Sequence, residues 1–542
     1  MFRIMVCETY RLFILENTPR MLTQLDRDKD SPTYGSFDRD FWHYKIRDFS
    51  SIVLQQGCLS LARLYSNNFE DNIYFKNEKI YNWAAGAVDF WQRVQLSDGS
   101  FNEYYPFEHG YPPTVFSLYS VSETCRLLNI VNPDVTEAIL RSCKFISKPR
   151  SHGALNQDIA AIAAMYSAYL LTREKWILNQ LNENIRNIFS LQTGDGYFPE
   201  YGGADIGYLS VSLACLAEYY TLSGNENVIR PLEKILGFIQ YFVHPDGSIG
   251  GEYGSRNTEY FMPAGLEILA TRIPLAGVIA DKIFKNPPIF HHSIDDRYLN
   301  HFILPSYINA LIFYKKRNNN NIALPYESKF HKYFKNADLF INSSEKYYSI
   351  LSTSKGGLLK VFKKDEKDKE LAYDCGYRIK DDDNIYVTNW IDSSQAVNVE
   401  DNRIKINGHF HQARFLEPTP LKHIGLRIAS FSMGHRLIPM LKDQLIKGNK
   451  KTDILFNREV IFKDNSIEIN DSIDSQKKIK ELSFADRYSL RYVPSSKFFN
   501  QNELKPHLSK TFKNFNEIEI NKIIDLNTEN VCFSFKIKNN PK

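Results

Sequence analysis

Two short windows in this 542-residue chain hold residue types suited to acid–base and anion-binding chemistry. The first is His152-Gly153-Ala154-Leu155-Asn156-Gln157-Asp158, which leads straight into an Ala-rich helical pattern. Asn156 is the expected N-cap of that helix. The second runs Asp195-Gly196-Tyr197-Phe198-Pro199-Glu200-Tyr201-Gly202-Gly203-Ala204-Asp205-Ile206-Gly207-Tyr208. Here Asp205 is the expected cap and Tyr208 lies one turn inside the next helix. A tyrosine moves protons when a cationic neighbour lowers its pKa. A third stretch, Gly250 to Tyr260, supplies Arg256 and Asn257 at a predicted helix start. A cation is mildly disfavoured there by the helix dipole, so Arg256 reads as an anion binder. The alternative for Arg256 is an ion pair with Glu252 or Glu259. Two aromatic and basic clusters complete the candidates for substrate binding. One contains Arg39 and Trp42 with His43, Lys45 and Arg47. The other contains Tyr104 and His109 with Glu103.

These residues must be brought together by something, and the chain shows a repeat. Leu96-Ser97-Asp98-Gly99-Ser100-Phe101, Thr193-Gly194-Asp195-Gly196-Tyr197-Phe198 and His244-Pro245-Asp246-Gly247-Ser248-Ile249 are near copies. Weaker echoes occur at Gly35 and Gly153. A spacing of about 45–65 residues accommodates one helical hairpin per repeat. Asp-Gly makes a tight turn because Gly takes positive φ cheaply and Asp bonds its own backbone. Apolar residues at three-to-four spacing predict helices over 50–65, 80–94, 135–146, 159–171, 174–191, 211–220, 228–242 and 264–270, with a last hairpin over 291–314. Five or six such hairpins predict an α/α toroid over residues 1–335 with the turns gathered at one rim.

From residue 336 the period changes. Tyr347 to Phe362 reads as strand, Gly356-Gly357 turn, strand, and short strands are predicted at 385–390, 396–399, 403–406, 425–430, 458–462 and 466–469. One helix is expected near 435–446. Residues 336–542 therefore predict an antiparallel β-sandwich.

Composition narrows the classes. The chain is 43% hydrophobic and 24% charged, ordinary for a globular protein. Its net charge of +4 is too small to indicate nucleic acid. Seven Cys without a Cys-x-x-Cys pair indicate neither a disulfide frame nor a zinc knuckle. His409 and His411 share a face merely by strand period, so no metal or cofactor is expected. No run spans a membrane, and charges interrupt the apolar stretch at Met1 to Glu8, which predicts cytoplasmic residence. Aromatics reach 14%, enough to pack a large helical core and to provide sugar-stacking surfaces.

The Asn156 helix start, the Asp195-Gly196…Glu200…Tyr208 stretch one hairpin later and a β region opening on Gly356-Gly357 resemble the heparinase II/III-like polysaccharide lyases and their alginate-lyase relatives. The resemblance covers most of the chain in architecture and two short windows in motif. It implies a toroid joined to a β-sandwich, an acidic, uronate-containing polysaccharide or oligosaccharide as partner, and β-elimination. It also implies that Asn156 binds the substrate carboxylate and Tyr208 exchanges the proton, with His152 as a partner. Family members typically have Asn-His in the first window, where this chain has Asn156-Gln157. Gln157 and Arg256 supply further donors for charge building on the carboxylate. Two other readings stay open. Glu103, Glu200, Asp205, Glu252 and Glu259 fall near the rim and would suit an inverting glycoside hydrolase. A non-catalytic polysaccharide-binding or assembly protein of surface-glycan biosynthesis is the third. The terpenoid-cyclase toroids share the Asp-Gly turns, but no Asp-x-Asp-Asp motif occurs here.

Overall fold

The computed structural model describes residues 5–148, 153–317, 322–365, 369–382, 384–413, 417–442, 450–487, 499, 501–504 and 508–538. The helical part contains α1 (Val6–Leu22), α2 (Arg39–Trp42), α3 (Gly57–Ser66), α4 (Glu78–Arg93), α5 (Tyr111–Leu128), α6 (Pro133–Ile146), α7 (Leu155–Thr172), α8 (Lys175–Ser190), α9 (Ile206–Ser223), α10 (Ile229–Ile239), α11 (Ala264–Leu269), α12 (Pro274–Phe284), α13 (Asp296–Tyr298) and α14 (Leu304–Phe313). Among these, α3, α5, α7, α9, α11 and α14 contact one another in sequence, and α14 returns to α3. They form the closed inner ring of an α/α toroid. The outer layer is α4, α6, α8, α10, α12 and α1, with α1 packed against both α14 and α12. Tyr10 of α1 donates its hydroxyl to Glu267 of α11 at 2.9 Å, 257 residues away in sequence.

Position in the ring explains which helices the sequence displayed. Outer helix α8 buries only Ile177, Leu181, Ile185 and Ile188, one apolar stripe at helical spacing. Inner helix α7 buries every residue from Leu155 to Met165. Inner helix α5 went unpredicted because it is Ser- and Thr-rich and has no stripe. Its Ser117, Ser120 and Thr124 hydroxyls bond back to the carbonyls of Pro113, Phe116 and Ser120 instead.

The three Asp-Gly turns share one geometry. Gly99, Gly196 and Gly247 have φ of 90°, 105° and 84°. In each, the first residue of the turn accepts from the Gly N–H and donates its own N–H to the residue after the Gly. A Cβ at Gly196 would lie 2.4 Å from the Lys234 carbonyl oxygen on α10. The turns thus seat the hairpins against each other.

The second part begins with β1 (Phe330–Phe334), ahead of the border expected after residue 335. It continues with β2 (Leu339–Ser343), β3 (Tyr347–Ser352), β4 (Leu358–Lys363), β5 (Lys369–Asp374), β6 (Tyr377–Asp381), β7 (Asn384–Val387), β8 (Ala396–Glu400), β9 (Arg403–Ala413), β10 (Lys451–Phe462), β11 (Ser466–Phe484), β12 (Thr511–Asp525) and β13 (Asn530–Lys538). All pairings are antiparallel: a five-stranded sheet in the order β1 to β5, and an eight-stranded sheet in the order β10-β9-β7-β6-β11-β12-β13 with β8 on β9. Strand β10 also pairs with β11, which curls the second sheet upon itself.

The middle strands of the five-stranded sheet, β2 to β4, are buried on both faces. Phe340, Tyr347, Leu351, Leu359 and Val361 pack into the sandwich with Ile404, Phe456 and Ile469 of the second sheet. The alternate residues Leu339, Ile341, Tyr348, Ile350, Leu358 and Phe362 join the core of the toroid. The strand period of two therefore puts the middle sheet between two apolar cores. The helices α15 (Pro420–Met433) and α16 (Leu437–Lys442) interrupt the strands between β9 and β10. The strand expected at 425–430 lies inside α15. Leu426 and Ile428 alternate over that short run, a pattern too brief to separate strand from helix.

Candidate active site at the toroid rim

The site is built where α7 and α9 start. Asn156 is not the N-cap of α7; Ala154 is. Asn156 instead sits in the first turn, where its backbone N–H donates to Glu200 Oε1 at 2.6 Å and its amide Nδ2 to Glu200 Oε2 at 2.8 Å. Glu200 thereby satisfies an orphan N–H of α7 from the neighbouring repeat. Burial pushes the Glu200 carboxyl up to about 8, which the two Asn156 bonds only partly offset. Gln157 lies beside the Tyr201 phenol.

Asp205 caps α9 as expected, accepting the Tyr208 N–H at 3.2 Å. It also accepts the Arg256 N–H at 2.9 Å and the Thr258 hydroxyl. One carboxylate thus joins the helix bearing Tyr208 to the loop bearing Arg256. That loop carries turns and then no regular structure until α11 begins at Ala264, so no helix begins at Arg256. Its guanidinium lies 4.5 Å from the Tyr201 ring centre. Glu252 and Glu259 are taken by Lys360, at 3.1 and 3.3 Å, so among the described residues neither pairs with Arg256.

Tyr208 packs edge-on to Tyr260 with ring centres 6.3 Å apart. It also stands close enough to influence the Tyr104 phenol across the ring. Tyr104 is exposed, with Arg297 4.6 Å from its ring centre. Arg297 pairs with buried Glu103. The Glu103 charge raises Tyr104 well above an ordinary tyrosine and also reaches Tyr201. Residues from the segments that lead into α5, α7, α9 and α11 and from the segment before α14 therefore share one rim.

The remaining candidates divide. His109 is held by Asp98 at 2.8 Å and Ser100 at 2.9 Å, so it braces the first Asp-Gly turn below Tyr104. Burial would raise Asp98, but hydrogen bonds from His109 and Ser100 outweigh it and leave the carboxyl at about 2. Asn257 turns toward the β-sandwich, where its amide oxygen accepts from Lys355. The Trp42 indole donates to the Gln24 carbonyl at 2.7 Å and Arg39 stacks 5.3 Å from the Tyr44 ring. Both contacts stay within residues 24–44. His152 lies outside the described residues.

Two participants, Arg297 and Lys442, carried no local sequence signal. Arg297 belongs to the short α13, distant from any Asp-Gly turn. Tyr201 was visible only as part of its window, yet it is the hub between Gln157 and Arg256, and its φ of 50° is strained for a non-Gly residue. Lys442 reaches the rim from α16, 5.9 Å from the Tyr201 ring. The helices α15 and α16 lie across the rim, with Arg427 paired to Asp48 at 2.7 Å and Phe431 edge-on to Phe107 at 5.2 Å. Among the described residues no group of His, Cys, Asp and Glu is arranged to hold a metal.

The fold and site define a toroid joined to a β-sandwich with an amide, a tyrosine and an arginine at one rim. Residues 73–262, the stretch that supplies Asn156, Glu200, Tyr208 and Arg256, match the ulvan lyase N-terminal domain family model. In fold the chain is similar to a Paenibacillus xanthan lyase, with a TM-score of 0.51 and 10% identity over 88% of this chain and 46% of that one. It is likewise similar in fold to a chondroitin AC lyase of Streptomyces coelicolor A3, with a TM-score of 0.52 and 10% identity over 88% of this chain and 67% of that one. The chain thus spans less than half of the xanthan lyase. No curated protein matches it in sequence.

Proposed function

We propose that this protein is a lyase that cleaves an acidic, uronate-containing polysaccharide by β-elimination. The observation that carries the reading is the placement of Asn156, Tyr208 and Arg256 around Asp205 and Glu200, within the stretch matched by the ulvan lyase family model. Elimination removes the proton from C5 of the uronate, next to its carboxylate. Charge then builds on that carboxylate, and preorganised donors stabilise it. The Asn156 amide, aimed by Glu200, and the Arg256 guanidinium are those donors. Tyr208, as phenolate, takes the C5 proton. The C5 electron pair forms the C4–C5 double bond, the C4–O bond breaks, and Tyr208, as phenol, returns a proton to the departing oxygen.

The protonation of Glu200 supports this arrangement. With its carboxyl near 8, Glu200 is largely uncharged at neutral pH and does not repel a substrate carboxylate. Other rim carboxylates are committed elsewhere: Glu103 to Arg297, Asp205 to a helix cap, Glu252 and Glu259 to Lys360. These commitments favour elimination over inverting hydrolysis, which needs two acting carboxyls about 6.5–9.5 Å apart.

The test is the near-ultraviolet absorbance of unsaturated uronate released from ulvan, chondroitin and other uronate polymers. Tyr208→Phe is expected to lower that rate by roughly 10²–10⁴-fold without loss of fold. Reducing ends formed without absorbance would instead identify a hydrolase, and binding without either product a carbohydrate-binding protein. Activity should also fall above about pH 8, as Glu200 ionises, measured as a pH profile of kcat/KM.

A further inference from the structure

We infer that Lys355, supplied by the β-sandwich, is the positioning residue for Arg256. The inference rests on the reading of Arg256 as the binder of the substrate carboxylate. Lys355 ends the short turn between β3 and β4 and is followed by Gly356 and Gly357, with φ of 66° and 74°. A Cβ at Gly356 would lie 2.5 Å from the Thr388 carbonyl oxygen, so the hairpin keeps this shape only with glycine there. The shape sends the Lys355 side chain, 4% exposed, into the toroid.

An ammonium group has three donors. All three of Lys355 go to one short stretch: the Glu252 carbonyl at 2.5 Å, the Gly254 carbonyl at 3.0 Å and the Asn257 amide oxygen. Arg256 lies between these acceptors. On its other side the same stretch is held by the loop between α8 and α9. The Ser255 N–H donates to the Ala204 carbonyl at 2.8 Å, the Ser255 hydroxyl to the Glu200 carbonyl at 2.7 Å, and the Arg256 N–H to Asp205. Two independent grips thus fix the Arg256 backbone. One comes from within the toroid and one from the sandwich. Asn257 takes φ of 60°, a conformation its amide helps to hold by accepting from Lys355. No carboxylate oxygen receives a Lys355 hydrogen bond among the described residues. The group orders backbone and amide oxygens rather than closing an ion pair.

The experiment is a double-mutant cycle on kcat/KM for a uronate polymer, with Lys355→Met, Arg256→Ala and the double variant. Lys355→Met is expected to lower kcat/KM about tenfold, chiefly through KM, and to have no further effect once Arg256 is Ala. Equal losses in both backgrounds would overturn the inference, because a general packing defect acts regardless of Arg256. Asn257→Ala, a milder change at the same grip, should show the same dependence and covers the case in which Lys355→Met does not fold. A readout that needs no substrate separates this inference from the functional one. Amide hydrogen exchange over 250–258 should rise in Lys355→Met while 155–165 stays protected. Unchanged exchange at 250–258 overturns the positioning role. A wild-type protein that forms no unsaturated product overturns the lyase reading alone.

Discussion

Glu200 and Glu252 occupy matching places in their repeats, four and five residues after the glycine of an Asp-Gly turn, yet the fold gives them opposite charge states. Glu200 is buried against the neutral amide of Asn156, and burial raises its carboxyl to about 8. Glu252 is just as buried, but Arg487 and Lys360 of the sandwich face it at 3.2 and 3.1 Å and together outweigh the burial, lowering it. Identical turns and identical side chains therefore produce a neutral acid at the rim and a fixed anion at the domain junction. What differs is the partner each loop meets, and the sandwich provides it for one repeat only. Lys360 is at the centre of this difference, since it also faces Glu259 and Glu370, both at 3.3 Å.

The contrast can be broken at its charged end with the largest effect. Glu252→Ala leaves Lys360 and Arg487 buried with fewer counter-charges, and should cost about 3–5 kcal/mol of unfolding free energy in urea titrations. Next comes the pH dependence. A carboxyl raised in the folded state binds more protons there than when unfolded, so Glu200 lowers stability progressively as pH rises from about 4.5 to about 8. Glu252 acts with the opposite sign: its contribution is complete above about 4.5 and is lost as pH falls toward its depressed folded value. Glu200→Gln should flatten the first slope, a difference on the order of a few kcal/mol near pH 8, and leave the acid limb unchanged. A smaller effect is expected from the turn itself. Gly196→Ala forces a Cβ toward the Lys234 carbonyl at positive φ and should cost about 1–3 kcal/mol, read as a lowered Tm. Smallest is Asp246→Ala, which removes bonds to the Ser248 N–H and hydroxyl on an exposed turn, and should cost about 1 kcal/mol or less. A loss from Asp246→Ala equal to that from Glu252→Ala would mean that the turn, not its partner, sets the difference.

The ring was legible in the sequence because its turns demand a residue with cheap positive φ, and Asp-Gly meets that demand repeatedly. The outer helices were legible as apolar stripes. Helix α5 was not, because an inner helix touches protein on all sides and needs no stripe. The strand expected at 425–430 follows the brief alternation of Leu426 and Ile428; the three-to-four spacing of Leu421, Ile424, Ile428 and Phe431, all exposed on α15, shows only over the longer run. Within the candidate site, Asn156, Glu200, Tyr208 and Arg256 are readable in the sequence because each sits within a few residues of a turn or a cap. Arg297, Lys355 and Lys442 were invisible for the converse reason. Closure of the ring and docking of the sandwich bring them in, and neither event leaves a mark in the nearby sequence. Asn257, a substrate-binding candidate in the sequence, has its amide oxygen accepting from Lys355 in the structure.

The sixth pair of the toroid is a seam, since α1 and α14 come from opposite ends of the helical region. Tyr10, Phe13 and Ile14 cannot find their partners until α12 and α14 exist. Ten helices, α2 to α11, separate α1 from α12 in the chain, so this packing closes the ring over a long sequence separation. Refolding from denaturant should carry a slow final phase belonging to this docking, and a rearranged chain in which the α1 segment is moved to follow α14 should lose that phase.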